Sequence, residues 1–579
     1  MITDIQTTLR YIFDKIHQYW KLTLFGTILL IFTNWIGIII PMEVKSLVDK
    51  LNHDRNQSDF WISISYIVGL ALVMAVIRTG SRITIFGIGR RVESSEKQHF
   101  FEHLLKLDLI YFNTQRIGDL ISRATSDIQA IRQMMGFGLL NIINIVWIYS
   151  FTLPLMFSLN SALTIYVLLG YAPVLWFVKS LSDKLKTLQH KNQEELGNLS
   201  SFIQEDLSGI QVIQAYSQSK REIKRFTEIN EDYRSISADL ARWRSLIWPA
   251  MSLARGISLV ILVAFATSGK LSPGTITAFV ICLERLVFPT AIMGWLITIF
   301  QRGSISVARV YEIYNEKPKI LSLEQAQLNL PIRHIKVHNL NLGYDGELIL
   351  KNLSLEIETG QFIGIVGLIG SGKSTFANSL VRVLNTPPGT IFFDQTDITQ
   401  VSLKELRDQA MLVPQETFLF NASIYENLSL GGDYSRESVI DAARLCQLDQ
   451  EIEDLPKGYD TVIGEREISL SGGQAQRVAL ARALIRKPPI LLLDDAISSV
   501  DNEVGTKILE SVRARYIDQT LVLITHRLSS LKAADRIYVF HGGSCIGADT
   551  HARLLSSNET YQKLWQIQGM EEAELVKKL

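Results

Sequence analysis

From Leu22 to Met42 the chain runs for 21 residues without a charged side chain, about the number an α-helix needs to cross roughly 30 Å of hydrocarbon. Phe60 to Ile77 is a second uncharged run, long enough for a tilted helix. Gln133 to Val178 covers 46 uncharged residues, too many for one span, and Ser158, Asn160 and Ser161 near its middle predict a hairpin between spans three and four. Ser245 to Gly269 contains only Arg255, and Leu271 to Gln301 only Glu284 and Arg285, with Ser272, Pro273 and Gly274 as the turn between them. The reading is six spans within residues 21–302. An even number puts both termini on one side, together with the segments Gly89 to Arg132 and Lys179 to Arg244, which carry Arg90, Arg91, Lys97, Lys106, Arg123, Lys184 and Lys186. The positive-inside rule makes that side the cytoplasm. Ahead of span one, Ile5, Leu9, Ile12, Ile16 and Tyr19 recur at helical spacing and predict an interfacial helix over residues 1–20. It lacks the short apolar core and small-residue site of a cleaved leader.

The composition fits two unlike halves. Hydrophobic residues at 47% with charged residues at 20% are too polar for an all-membrane chain and too apolar for a soluble one. Lys plus Arg balance Asp plus Glu at 58 each, which excludes a basic nucleic-acid binder. Cys282, Cys446 and Cys545 are too scattered for a disulfide framework or paired metal ligands. Residues 303–331 read as helix and then linker. From Ile332 onward short apolar runs, Phe362 to Val366, Ala410 to Val413, Ile490 to Leu493 and Thr520 to Ile524, alternate with helical stretches, the pattern of a mainly parallel sheet over residues 332–579.

The chemistry lies in this second half. Gly367-Leu-Ile-Gly370-Ser371-Gly372-Lys373-Ser374 follows an apolar strand and precedes a helix beginning near Thr375, the context that a phosphate-binding loop requires. Glycines let backbone N–H groups wrap phosphate oxygens at a helix N-terminus, Lys373 sets a cation against the β- and γ-phosphates, and Ser374 can ligate Mg²⁺. Ile490 to Leu493 reads as a buried strand ending in Asp494, where a carboxylate would hold the Mg²⁺. ATP and Mg²⁺ are therefore the expected ligands.

Between the two stands Leu470-Ser471-Gly472-Gly473-Gln474. This signature, in order with both nucleotide motifs, resembles the ABC transporter ATPases. The resemblance implies further roles: Tyr344 as the adenine-stacking aromatic, or else a packed strand-end residue; Gln415 in the Q-loop, reaching the Mg²⁺; Ser499 and Asp501 in the D-loop; His526 as the switch histidine. The membrane half is similar to the exporters of this family. Tyr111 to Asp127 resembles their first cytoplasmic loop, and Gly209 to Tyr216 with Lys220, Arg221 and Phe226 the second, so coupling helices are expected near 111–127 and 209–222. The implied fold is a six-helix transmembrane bundle with long cytoplasmic helical extensions, followed by an α/β P-loop ABC ATPase domain.

One departure bears on mechanism. Where the family usually places a glutamate after the strand carboxylate, this chain has Asp495. The base is one methylene short, and a displacement of about 1 Å can cost roughly 10²-fold in rate. Because the family's signature completes the facing subunit's ATP site, an intact Leu470 to Gln474 beside Asp495 resembles the asymmetric multidrug half-transporters. The expectation is a heterodimer with a second half-transporter, with a homodimer as the alternative. Asp495, His526 and Gln415 are the candidate catalytic residues, and Thr375 joins the nucleotide-binding set. Arg255 and Glu284 fall at similar depths, about 15–21 Å along their helices, and with Arg285 are candidates for an ion pair or for the substrate pathway. An amphipathic drug or a membrane lipid is the expected cargo, moved out across a bacterial plasma membrane with termini and ATPase domain cytoplasmic. A lipid flippase and an ATP-gated channel or regulator remain open beside a drug exporter.

Overall fold

The computed structural model describes residues 2–53, 57–267, 271–344, 346–464 and 470–578. The chain divides into two compact units, Met1–Leu105 with Ile117–Glu316, and Lys106–Arg116 with Lys317–Leu579.

The first unit is helical. Four helices are long and apolar enough to cross a membrane, over Trp20–Leu51, Phe60–Leu104, Ile117–Leu159 and Pro273–Asn315. Shorter apolar stretches, Ser161–Gly170 and Arg255–Phe265, lie in the helices Ser161–Ser208 and Ile247–Ala266. These six helices are where the six uncharged runs predicted them, although the fifth run ends at residues 268–269, outside the described residues. The hairpin between spans three and four turns at Asn160, which is extended (φ −165°) and caps the next helix by accepting from Leu163 N at 2.9 Å. Ser272 caps the last helix with Pro273 in its first turn, the position where a missing N–H costs nothing. Asp49 from the first span strengthens that cap, accepting from Gly274 N at 2.9 Å and from the Ser272 hydroxyl at 3.0 Å. An apolar cluster of Met156, Leu163, Val167, Leu262, Phe279 and Leu283 joins the helices near these two turns.

The helices continue well past their uncharged portions. At the opposite ends, Arg123 holds Asp119 at 2.7 Å and Glu312 at 2.8 Å, while Arg309 holds Asp127 at 2.9 Å. The N-terminal helix Ile2–Gln18 turns a mixed face inward rather than its apolar row: Thr8 and Tyr11 are buried, while Leu9 and Phe13 are exposed. Tyr11 donates to Glu96 Oε1 at 3.0 Å, Lys15 reaches the same oxygen at 2.8 Å, and Tyr314 donates to Oε2 at 2.9 Å. A carboxylate this buried (4% exposed) needs such partners. The side chain of Ile5 lies outside the described residues.

The second unit contains two main sheets. A six-stranded sheet runs in the order Ser544–Asp549, Arg536–His541, Phe362–Gly367, Thr520–Ile524, Ile490–Asp494, Ala410–Val413, parallel except for its first strand. Its central strands are buried throughout, which is why they read as unbroken apolar runs. A four-stranded antiparallel sheet runs Glu347–Glu358, His334–Tyr344, Ile391–Phe393, Thr396–Asp397. Lys106–Arg116 belongs to this unit: Ile110 packs against the core of the antiparallel side, and Asp108 Oδ1 accepts from the backbone N–H of Lys319 at 3.1 Å and Ile320 at 3.3 Å.

Candidate functional site

Parallel strands deliver their C-terminal ends to one edge, the place where α/β sheets bind ligands. Ile365 pairs with Ile524, Ile524 with Asp494, and Leu493 with Val413. Gly367 to Ser374, His526, Asp494 with Asp495, and Gln415 therefore emerge side by side, although 159 residues separate the first from the last in sequence (367 to 526).

The loop after Phe362–Gly367 has the required shape. Gly370 and Gly372 adopt φ of +79° and +95°, open to glycine at no steric cost. A Cβ on Gly372 would also lie 2.6 Å from Leu350 Cδ2. Helix Lys373–Leu380 starts there without a side-chain cap, so its first N–H groups point into the loop. Lys373 is buried and donates to the carbonyls of Gly367 at 2.9 Å and Leu368 at 3.0 Å. Burial lowers its pKa, opposed by the nearby Asp494 and Asp495. Ser371 is 3% exposed and its Oγ has no hydrogen-bond partner among the described residues, an orphaned polar atom that a phosphate oxygen would satisfy. Thr375 is buried in the first turn, while Ser374 is exposed.

Asp494 ends its strand buried. Burial raises its pKa, the Ser374 hydroxyl hydrogen bond opposes this, Asp495 adds to the rise, and Lys373 and His526 oppose it. A serine hydroxyl bonded to a buried carboxylate is a donor pair that fits Mg²⁺, with Gln415, exposed just beyond Val413, as the third candidate. The described residues gather no cluster of three or more His, Cys, Asp or Glu side chains, so phosphate and water would have to complete such an ion. Asp495 turns out of the strand in the left-handed region (φ +49°), its N–H donating to Ile524 O at 2.9 Å. Aspartate tolerates that conformation better than longer side chains do. The pKa of His526 is lowered by burial and then by Lys373, with Asp495 and Asp494 acting the other way. Tyr344 ends its strand half-buried, opposite Glu347 and against the core.

The signature residues open a separate helix, Gly472–Leu484. Ser471 and Gln474 form a reciprocal capping box, Ser471 Oγ accepting from Gln474 N at 3.2 Å and Gln474 Oε1 from Ser471 N at 2.9 Å. Leu470 is half-buried against the core. A Cβ on Gly473 would stand 2.7 Å from Ser499 O, so only glycine lets the signature lie against the loop bearing Ser499 and Asp501.

Four residues not singled out in the sequence organise this region. Gln476 donates to Ser498 Oγ at 3.0 Å and accepts from Ser499 N at 2.8 Å. Arg527 Nη1 donates to Val500 O at 2.7 Å, and Nη2 to Ser498 O. Arg477 binds both carboxylate oxygens of Glu451, at 2.8 and 2.9 Å, and Gln474 Nε2 reaches Glu451 Oε2 at 2.8 Å. Burial opposes the Glu451 charge, yet the hydrogen bonds from Arg477 and Gln474 hold its pKa below the ordinary value. The available signal was periodicity: Gln476 lies on the helix face of Leu480 and Leu484, where a polar residue must be buried.

In the helical unit Arg255 Nη1 and Glu284 Oε1 pair at 2.8 Å, each side chain about half exposed (46% and 49%). Arg285 does not join them; it faces Asn34 at 3.4 Å. The second loop candidate forms the short helix Ile210–Ala215, with Ile210, Val212 and Tyr216 exposed.

Residues 23–290 match the ABC transporter transmembrane region family and residues 350–498 the ABC transporter family. The chain is 30% identical over 91% of its length to the ATP-dependent lipid A-core flippase of Syntrophus aciditrophicus, covering 89% of that protein. It is 29% identical over 96% of its length to a probable multidrug resistance ABC transporter ATP-binding/permease protein, YheI, of Bacillus subtilis, covering 97% of it. A solved bacterial Atm1-family ABC exporter with ATP bound superposes with a TM-score of 0.77 at 27% identity, over 94% of this chain and 98% of that one.

Proposed function

The chain belongs to the ABC transporter family, as an exporter-type membrane protein that couples ATP hydrolysis to transport, and from that premise we propose a half-transporter that moves amphipathic drugs or lipids out of the cytoplasm or inner leaflet. It works as a dimer, with its ATPase unit and both termini in the cytoplasm of a bacterial cell and its spans in the plasma membrane. Support for the cargo class comes from relatives named as a lipid A-core flippase and a multidrug resistance protein. Support for the dimer comes from Ile210, Val212 and Tyr216, an apolar helix tip exposed among the described residues.

In the proposed cycle the Gly367 to Thr375 loop holds the ATP phosphates, Tyr344 lies beside the adenine, and Ser374, Asp494 and Gln415 would hold Mg²⁺. The ion would neutralise charge developing on the phosphates. Neutral His526 and the carboxylate of Asp495 orient the attacking water. Each signature, Leu470 to Gln474, closes the site of the facing subunit, and ATP drives closure by binding the closed arrangement better. The spans then exchange inward for outward access.

One observation carries the finer reading. Asp495 sits at the base position with a carboxylate one methylene short, on a backbone pinned to Ile524, while the signature beside it has its full capping box. The favoured assembly is thus a heterodimer in which this chain's own site hydrolyses slowly and its signature serves a competent partner site. The same aspartate still provides a carboxylate, which supports a homodimer as the second reading. The test is ATPase activity in lipid of the chain alone and with a candidate partner. Low activity alone, high activity as a pair and little loss on Asp495→Asn in the pair support the heterodimer. High activity alone, abolished by Asp495→Asn, establishes the homodimer instead.

A further inference from the structure

Arg285 lies at mid-depth in the spans without an anionic partner among the described residues. It is 12 residues beyond Pro273, about 18 Å along the helix, and its single hydrogen bond among the described residues is to Asn34 Oδ1 at 3.4 Å. None of the described carboxylates is within ion-pair distance; neighbouring Glu284 is occupied by Arg255 at 2.8 Å. The seat is nonetheless built. Asn34 is buried and oriented by donating to Leu30 O at 2.9 Å and to Asn144 Oδ1 at 3.0 Å. Gly37 makes room, since a Cβ there would stand 1.8 Å from Arg285 Nη1.

A guanidinium offers five N–H donors in a fixed fork, and one neutral amide uses little of that capacity. An unneutralised cation inside a bilayer is expensive and marks a function. A guanidinium turned by a buried amide oxygen and admitted by a glycine forms a receptor for negative charge, set among apolar helices that suit a hydrocarbon tail.

We propose that Arg285, positioned by Gly37, Asn34 and Asn144, binds the anionic headgroup of an amphiphile, a phosphate monoester or a carboxylate. Its oxygens take the free guanidinium donors as charge-assisted, bidentate bonds. This names the cargo class of the exporter reading, and rests on that reading only for the claim that the bound molecule is carried across.

The test uses the full chain, with its partner where the pair is needed, in nanodiscs of zwitterionic phosphatidylcholine. Binding of dodecyl phosphate is compared with dodecyl maltoside and dodecyltrimethylammonium. The phosphate is expected to bind tightest, Arg285→Gln to weaken it by about ten- to hundredfold, Arg285→Lys to recover part of the loss, and Gly37→Ala to weaken binding while keeping the charge. The maltoside is expected to bind equally to all variants. Competition by phosphatidic acid, a lipid phosphate monoester, in the nanodisc identifies a lipid headgroup as the source; undiminished binding identifies a free amphiphilic anion. Equal binding of the three head groups overturns the proposal, as does unchanged phosphate binding by an Arg285→Gln or Gly37→Ala variant that melts like the wild type. Anion-selective binding without ATP-driven movement would leave this site standing and overturn the exporter reading; movement without anion preference would do the reverse.

Discussion

Gln476 is 7% exposed and fastens the signature helix to the loop after Asp495 through two hydrogen bonds, to Ser498 Oγ at 3.0 Å and from Ser499 N at 2.8 Å. Gln476→Ala removes both and opens a void. Each hydrogen bond contributes about 0.5–1.5 kcal/mol, and an unsatisfied buried donor costs about 1–3 kcal/mol. Together with the lost packing the change is expected to destabilise the nucleotide-binding unit by about 2–4 kcal/mol. For a domain of this size that is a drop of roughly 4–16 °C in Tm, read from the melting of the purified chain in lipid. ATPase activity of the assembled dimer should fall as well, because Gly473 packs directly on Ser499. Gln476→Glu should recover part of the stability, its carboxylate accepting from Ser499 N and from the Ser498 hydroxyl. An alanine variant that melts within about 1 °C of the wild type with unchanged ATPase would refute the argument.

Glu451→Leu should cost about 1–3 kcal/mol, discounted for the 42% exposure of the Glu451 side chain, by leaving Arg477 buried and unpaired; adding Arg477→Met should restore part of the melting temperature. Gly274→Ala would set a Cβ 2.2 Å from Lys45 O and 2.6 Å from the Asp49 carboxyl, and is expected to lower the melting temperature of the membrane unit by an amount equivalent to about 1–3 kcal/mol. His526 has a depressed pKa in the folded chain, so the unfolded chain takes up the proton first, near 6.5, and stability is lost as pH falls below that value. The wild type should therefore lose more of its melting temperature between pH 7 and 5.5 than His526→Gln; an equal loss would refute the assignment.

The residues that spoke clearly in the sequence are those whose constraint is local. An uncharged run has no cheap alternative to a span, and Asn160 or Ser272 with Pro273 ends a helix by its own chemistry. Gly370, Gly372 and Lys373 announce a phosphate loop because each residue type serves one local need. The antiparallel sheet was harder to see, since the register of His334–Tyr344 breaks at Leu340 and Leu342 and its pattern is legible only beside its partner strand. The inward face of the first helix was not legible for another reason: Tyr11 and Thr8 are buried because Glu96 and Ser304, far along the chain, supply their hydrogen bonds. Gln476, Arg527 and Glu451 were silent for the same reason, their roles existing only across distances of 22 to 29 residues or in a shared loop.

Those silent residues matter most once two chains face each other. The segment from Asp495 to Asp501 is held from one side by Gln476, on the helix whose N-terminus is the signature, and from the other by Arg527, next to His526. Under the dimer reading the signature serves the partner's ATP while His526 and Asp495 serve this chain's own. The loop is then a short covalent and hydrogen-bonded strut between the two sites, and a shift of His526 reaches the signature through one layer of contacts. Coupling by such a strut does not require both sites to hydrolyse. A slow site at Asp495 that merely binds and holds ATP would still fix the position of the signature it is tied to, and would thereby set the rate at which the partner's site opens. That is the physical sense in which a chain with a shortened base is useful in a pair, and it makes Gln476→Ala a probe of that connection: it should lower hydrolysis at the partner's site more than ATP binding at its own.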